Sequence, residues 1–284
     1  MTVPAAVRDW CQKQGHGEIL QEEPIGGGCI NNGARVHTRD GAAFFLKTNA
    51  SAPAEMFARE AEGLLALRTD DGPRFPEPFL WSQDFLLMED LPPAPPGPDF
   101  WPGLGRRLAA LHRHESTRFG FDHDNFIGST PQPNPWTEDG FEFFATHRLV
   151  FQAGLAHESD RLSSSDLHRV EILAARLNEL VPRQPASLLH GDLWSGNVIP
   201  GPKGEACLID PACHFGWAEA ELGMTELFGA LDPSFYDAYT DARPLPAGWR
   251  DRLPVYNLYH LLNHLNLFGS SYLPSVRRVL DRFA

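Results

Sequence analysis

The sequence predicts an α+β chain in two lobes, the first rich in strands and the second mostly helical. Three observations carry that reading. Strand-like runs with one internal helix occupy the first part of the chain. A proline-rich break, Pro92 to Pro98, follows them. Beyond it, apolar residues recur mainly at helical spacing. The break divides the chain into residues 1–91 and 92–284, with the hinge between them. At 284 residues and 42% hydrophobic content, the chain has the material for two lobes sharing one site.

In chain order, Val3, Val7, Trp10 and Cys11 share one helical face, which predicts a short helix over residues 3–14. Pro24 to Gly33 is a turn holding Gly26, Gly27, Gly28 and Cys29, and it leads into a strand at Ala34–Thr38. Arg39-Asp40-Gly41 signals a hairpin, and Phe44–Lys47 is its returning strand. Strand alternation sets Lys47 on the face of Phe45, where a partly buried ammonium needs an anionic partner. A helix from Ala54 to Leu67 offers one, because Glu60 shares the stripe of Phe57, Ala61 and Leu64. Phe85–Met88 is a buried strand that ends at Glu89-Asp90-Leu91, before the break.

The second lobe opens with a helix over Phe100–His112, whose apolar face is Leu104, Leu108 and Leu111. His112, at its end, is expected to be a hydrogen-bonded core residue. A long loop rich in aromatics and carboxylates, Phe119 to Asn134, is too elaborate for a mere connection. Helices follow at 138–155 and 165–181, and later at 218–230, 250–268 and 274–283. Glu219 and Glu221 open the first of these last three, where acids suit a helix N-terminus. Asn257, His260 and His264 form a polar stripe between leucines, facing either a cavity or satisfied core partners.

The chemistry concentrates at Leu188–Val198. Two apolar runs flank His190-Gly191-Asp192, with Asn197 five positions after the Asp. A turn at Pro200–Gly204 brings back Cys207-Leu208-Ile209, which ends on Asp210. Phosphoryl transfer needs such a set: one carboxylate to orient the attacking hydroxyl, and an amide oxygen with a second carboxylate to hold Mg²⁺ on ATP phosphates. The Asp-x-x-x-x-Asn spacing is that of a protein kinase catalytic loop. Asp192 is the expected base, and Asn197 and Asp210 the metal ligands. On the nucleotide side, Gly26, Gly27 and Gly28 would let backbone N–H groups approach phosphate, with the Lys47–Glu60 pair beneath them. Met88, the Glu89 carbonyl and the Leu91 N–H would meet the adenine, since Pro92 and Pro93 have no N–H to offer. Cys29 is either a small residue tolerated in the turn or a thiol made reactive by nearby N–H groups, and so a redox control point.

Composition narrows the partners. The formal net charge of −13 argues against a nucleic-acid partner and suits cationic or neutral substrates. Four cysteines without a Cys-x-x-Cys pair point away from zinc and disulfides and toward a reducing compartment. No run approaches the ~20 apolar residues of a membrane helix, and Arg8 and Asp9 stand where a signal peptide would be apolar. The expectation is a cytoplasmic protein with no membrane partner.

Together these residues resemble the fructosamine kinase (ketosamine-3-kinase) family, within the wider aminoglycoside phosphotransferase and choline kinase group. His190-Gly-Asp-Leu193 with Gly196-Asn197 matches the wider group. Trp194-Ser195, Gly26 to Asn31, Phe121 to Gly128, Asp210-Pro-Ala212 and Asn263 to Asn266 match the family. The resemblance implies a bilobal protein-kinase-like fold: a small lobe with an antiparallel sheet and one helix, a larger helical lobe, and ATP in the cleft. It implies phosphorylation of the 3-hydroxyl of a ketoamine, either a small molecule or a glycated lysine on a protein. The product then breaks down and frees the amine, which is deglycation. Trp194, Trp217 and His264 are the residues expected around the substrate. Ala218 stands where the family usually has Arg, and Glu221 where it has Asp, which bears on support near the site and on substrate choice. A kinase for an amino alcohol or aminoglycoside is the rival reading, disfavoured by Trp194-Ser195. A non-catalytic nucleotide-binding scaffold is disfavoured by the presence of Lys47, Asp192, Asn197 and Asp210.

Overall fold

The structure, a computed structural model, describes residues 3–26 and 31–284. Helix α1 (Ala5–Lys13) precedes a five-stranded antiparallel sheet of β1 (Ile19–Ile25), β2 (Asn32–Thr38), β3 (Ala43–Thr48), β4 (Pro78–Trp81) and β5 (Phe85–Glu89), in the order β1-β2-β3-β5-β4. Helix α2 (Met56–Leu67) lies between β3 and β4 in sequence. Alternation sorts the two faces of the sheet. Val36, Phe44, Leu46 and Leu87 pack with Val3, Val7 and Cys11 of the N-terminal segment. On the other side, Leu86 and Met88 join Phe57, Ala61, Leu64 and Leu67 of α2. Each such fully buried Leu or Phe contributes roughly 1.5–3 kcal/mol.

That second cluster does not stop at the sheet. It continues through Leu104 and Leu108 of α3 (Phe100–Leu111) to Leu188 and Leu208, and to Phe235 and Tyr239. The strand-rich region and the strands that flank residues 190–210 therefore share one apolar cluster. Short strands follow α3: β6 (Glu115–Ser116), β7 (Asn125–Ile127) and β8 (Thr130–Gln132).

The helix expected over 138–155 is α4 (Gly140–Phe144) and α5 (Phe151–Glu158), joined by a π-helical turn at Ala145–Val150. That turn sends the buried Arg148 inward, where it donates to the Pro133 carbonyl at 2.7 Å and to Asn134 Oδ1 at 2.7 Å. The guanidinium thus ties down the end of the long aromatic loop, and burial lowers its pKa to about 10. Helices α6 (Ser164–Ala175) and α7 (Leu177–Leu180) precede β9 (Ala186–Leu189), β10 (Val198–Pro200), β11 (Ala206–Leu208) and β12 (His214–Gly216). The chain ends in α8 (Ala218–Leu227), α9 (Pro233–Ala242), α10 (Trp249–Phe268) and α11 (Leu273–Phe283). No helix among the described residues is long and apolar enough to cross a membrane.

Candidate active site

The catalytic loop hangs from β9, whose four residues are all buried. Gly191 has φ +86°, and a Cβ there would stand 2.1 Å from the Ala212 carbonyl, so only glycine fits. His190 is fully buried and clamps the loop at both ends of its ring. Its Nε2–H donates to the Ile209 carbonyl at 2.8 Å, and its Nδ1 accepts from the Asp192 N–H at 3.2 Å. This arrangement requires the neutral ring, and burial lowers the His190 pKa accordingly. Asn197 closes a one-turn helix at Ser195–Asn197, and its Nδ2 donates to the Asp192 carbonyl at 2.8 Å. The β10–β11 register, Val198 opposite Leu208, carries the chain back so that the Ile209 N–H donates to the Asn197 carbonyl at 3.1 Å. Asp210 follows in the left-handed region with φ +58°, a conformation unusual for a residue with a side chain. Burial, with the nearby charge of Asp210, pushes the Asp192 carboxyl up to about 7, against the Asn197 hydrogen bond that favours the anion.

A second set of bonds holds the loop from behind. Glu221 is fully buried and accepts from the Gly191 N–H at 2.6 Å, the His190 N–H at 3.1 Å and His112 Nε2–H at 2.9 Å. His112 Nδ1 in turn pairs with the Tyr239 hydroxyl at 2.7 Å. Burial alone would raise the Glu221 pKa; the hydrogen bonds from His112 and from the Gly191 N–H hold it below the usual carboxylate range. Glu219 pairs with Arg252 at 2.7 Å and accepts from the Tyr256 hydroxyl at 3.1 Å. The two acids do sit in the first turn of α8, as the sequence suggested, but they are also buried members of hydrogen-bond networks. The sequence signal that could have found Glu221 is His112: a buried histidine requires a partner.

From β3, Lys47 Nζ contacts Glu60 Oε1 at 2.5 Å and also contacts Asp210 Oδ1. Two carboxylates share one ammonium. Burial opposes the Lys47 charge, but both acids outweigh it and hold the pKa above the ordinary lysine value. Glu60 is raised by burial and by the like charge of Asp210, which Lys47 only partly offsets. At the hinge, Met88 is buried. The Glu89 side chain is held by Arg74 at 2.5 Å, and Asp90 by Arg35 at 2.8 Å. The Leu91 N–H makes no hydrogen bond among the described residues. Gly26 follows the end of β1, while Gly27, Gly28 and Cys29 lie outside the described residues.

On the other side of Asp192, the Trp194 ring lies over Gly196, where a Cβ would stand 2.3 Å from the indole. Trp194 meets Phe228 at 6.0 Å between ring centroids, and Phe228 meets His264 at 4.6 Å. The sequence did not single out Phe228, which caps α8 at its C-terminal end. Trp217 is a correction. It is 3% exposed and packed among Phe119, Phe141, Phe144 and Tyr256, so it is a core residue and not a substrate contact. The 257–264 stripe is not fully satisfied: Asn257 Oδ1 and His260 Nδ1 are buried without a hydrogen-bond partner among the described residues.

The donor set fits a hard cation on phosphates. Asn197 Nδ2 is committed to Asp192, which leaves Oδ1 as its acceptor atom, and the bond from the Ile209 N–H to the Asn197 carbonyl brings the next residue, Asp210, back to this loop. Among the described residues no cluster of three or more His, Cys, Asp or Glu could hold a metal alone. Mg²⁺ does not need one, because it takes one or two protein oxygens and completes its shell with phosphates and water.

A probable ketoamine kinase of Synechocystis is 39% identical over 271 residues, covering 93% of this chain and 90% of its own. A chloroplastic protein-ribulosamine 3-kinase of Arabidopsis thaliana is 38% identical, covering 98% and 87%. The crystal structure of a Thermobifida fusca protein assigned as a fructosamine-3-kinase superposes with a TM-score of 0.85 at 34% identity, covering 93% of each chain. The α+β, protein-kinase-like fold is shared with a solved macrolide 2'-phosphotransferase and a solved aminoglycoside phosphotransferase, each at 14% identity and a TM-score of 0.61. The fructosamine kinase family model matches residues 3–284, and the chain belongs to the fructosamine kinase family.

Proposed function

We propose that this chain is an ATP- and Mg²⁺-dependent kinase that phosphorylates the sugar 3-hydroxyl of ketoamines of the fructosamine and ribulosamine type, and so serves deglycation in the cytoplasm. The observation that carries this reading is one cluster: Asp192 and Asn197 on the catalytic loop, with Asp210 linking them to Lys47 and Glu60. Residues 1–91 form the lobe that holds the nucleotide, and 92–284 the lobe that holds the acceptor.

In this reading Lys47, kept in place by Glu60, contacts the phosphates, and the Met88–Leu91 backbone meets the adenine. Asn197 Oδ1 and Asp210 would hold Mg²⁺, which would supply charge neutralisation on the nucleotide phosphates. Asp192 accepts a hydrogen bond from the acceptor hydroxyl, orients its oxygen for attack and takes its proton. The raised pKa of Asp192 suits a base near neutral pH, and a cation held by Asn197 and Asp210 would favour its ionised form. Trp194 and His264 border the sugar. The acceptor is a small-molecule ketoamine or a glycated lysine.

The test is turnover with ATP, Mg²⁺ and a deoxyfructosyl- or ribulosyl-amine, with the phosphate position assigned by NMR. Phosphate on the sugar 3-hydroxyl is expected. Turnover of choline or aminoglycosides alone would overturn the reading. Trp194→Ala is expected to raise the ketoamine KM by about tenfold, the equivalent of losing one aromatic contact of ~1.4 kcal/mol, and to leave the ATP KM unchanged. Equal rises in both constants would mean that Trp194 only packs the loop.

A further inference from the structure

Three large apolar side chains near the site stand open to solvent in a single row: Trp194 at 36%, Phe228 at 37% and Phe268 at 49%. The row starts two residues past Asp192 and runs along the end of α10. Trp194 and Phe228 meet nearly edge to face, at 75°, and form a corner of two ring faces. Beyond Phe228 come His264, then Phe268 and Tyr272, each with a centroid 5.2–5.3 Å from the imidazole. An exposed apolar patch that adjoins a site usually binds something.

The row is also bare of cations. Elsewhere the chain covers aromatic rings with its own guanidiniums: Arg118 over Trp136, Arg183 over Phe141, Arg250 over Trp249 and Arg282 over Phe283. Among the described residues no Lys or Arg stands over Trp194, Phe228, Phe268 or Tyr272. Burial disfavours a charge on His264 as well, and its Nδ1 is engaged with the His260 carbonyl at 2.8 Å. The negative ring faces are left for a cation from outside, and the net charge of −13 attracts one.

We propose that this row binds the amine-bearing half of the acceptor, and that it takes that half as an alkylammonium. The inference rests on the ketoamine reading above. A ketoamine carries its nitrogen on C1, close to the 3-hydroxyl, and as a basic secondary amine that nitrogen is protonated at neutral pH. With the hydroxyl at Asp192, the ammonium falls at the Trp194–Phe228 corner, and its substituent extends over Phe268 and Tyr272. Phe228 and Phe268 are then specificity-determining residues, selecting for charge at nitrogen and for length beyond it.

The experiment compares kcat/KM for a deoxyfructosyl-alkylamine with that for its N-acyl counterpart, which has a similar chain and no charge. The parent is expected to favour the cation by roughly 2- to 30-fold, the range of one cation–π contact. Phe228→Leu keeps apolar area and loses the ring quadrupole, so it should cut that preference while the KM for ATP stays put; Phe228→Trp should keep or raise it. Phe268→Leu, at a more exposed position, should shorten the advantage of long alkyl substituents, and it provides the test if Phe228→Leu melts early. A parent that uses both acceptors equally, or leucine variants that keep its full preference, overturns the inference and leaves the kinase reading intact. A parent that phosphorylates neither acceptor removes the ketoamine reading itself, and this inference with it.

Discussion

Asp192→Asn lowers kcat by on the order of 10²–10⁴, the usual loss when a positioned base is removed, and leaves nucleotide affinity at the parent value. The asparagine has the size of the carboxylate and can still accept from Asn197 Nδ2, so loop geometry is preserved while proton acceptance is lost. Single-turnover kinetics with saturating ATP and Mg²⁺ measure this directly. Asp210→Asn is expected to differ in kind, losing metal-dependent nucleotide binding as well, because Asp210 also faces Lys47. A further readout separates chemistry from misfolding. The Asp192 carboxyl is half-buried, and desolvation with the nearby charge of Asp210 raises its pKa to about 7. A raised folded-state pKa means that ionising the group at neutral pH costs stability. Asp192→Asn removes that cost, so the nucleotide-free variant should melt no lower than the parent. Near-normal turnover in Asp192→Asn would falsify the assignment of the base.

The parts of the site that were legible in the sequence are those fixed by short-range spacing. Asp192 and Asn197 are held by one loop and one turn, and Asp210 by a single hairpin register. Lys47 and Glu60 were readable because strand alternation and a helical stripe each set a direction. What escaped is instructive. Strand β1 shows no clean alternation, carries Pro24 and lies at a sheet edge, so it lacks the period-two signal of a half-buried strand. Strand β4 has four residues and an irregular register, too short to show a period. Helix α9 did carry a signal: Asp232 caps it by accepting from the Ser234 N–H at 2.9 Å, and Pro233 occupies its first turn. The fate of Trp217 is decided by tertiary packing. Strand β12 pairs with β9, and the chain enters α8 with the indole packed into the aromatic core against Phe144.

Glu221→Leu is expected to be the most damaging substitution outside the reacting groups. It strips the acceptor from three buried donors at once: the Gly191 N–H, the His190 N–H and His112 Nε2–H. Breaking a buried charged network costs about 3–5 kcal/mol, and in a chain of this length that lowers the melting temperature by on the order of 10 °C. Glu221→Gln is the gentler probe. It keeps one acceptor oxygen and turns an NH₂ toward a donor, so Gly191 or His190 loses its partner and the loop bearing Asp192 shifts. A misplacement of about 1 Å costs roughly 100-fold in rate, so kcat should fall far more than the KM for ATP. The pH dependence of stability provides an independent check. The folded-state pKa of Glu221 lies below its ordinary value, so its contribution is complete above the ordinary glutamate range and disappears as pH falls through the folded-state value. Urea unfolding of Glu221→Gln should therefore lose part of the acid-side decline seen in the parent. Parent-like kcat, melting temperature and acid limb in Glu221→Gln would mean that the catalytic loop keeps its shape without this carboxylate, and that His190 alone, bonded to the Ile209 carbonyl, is enough to hold it.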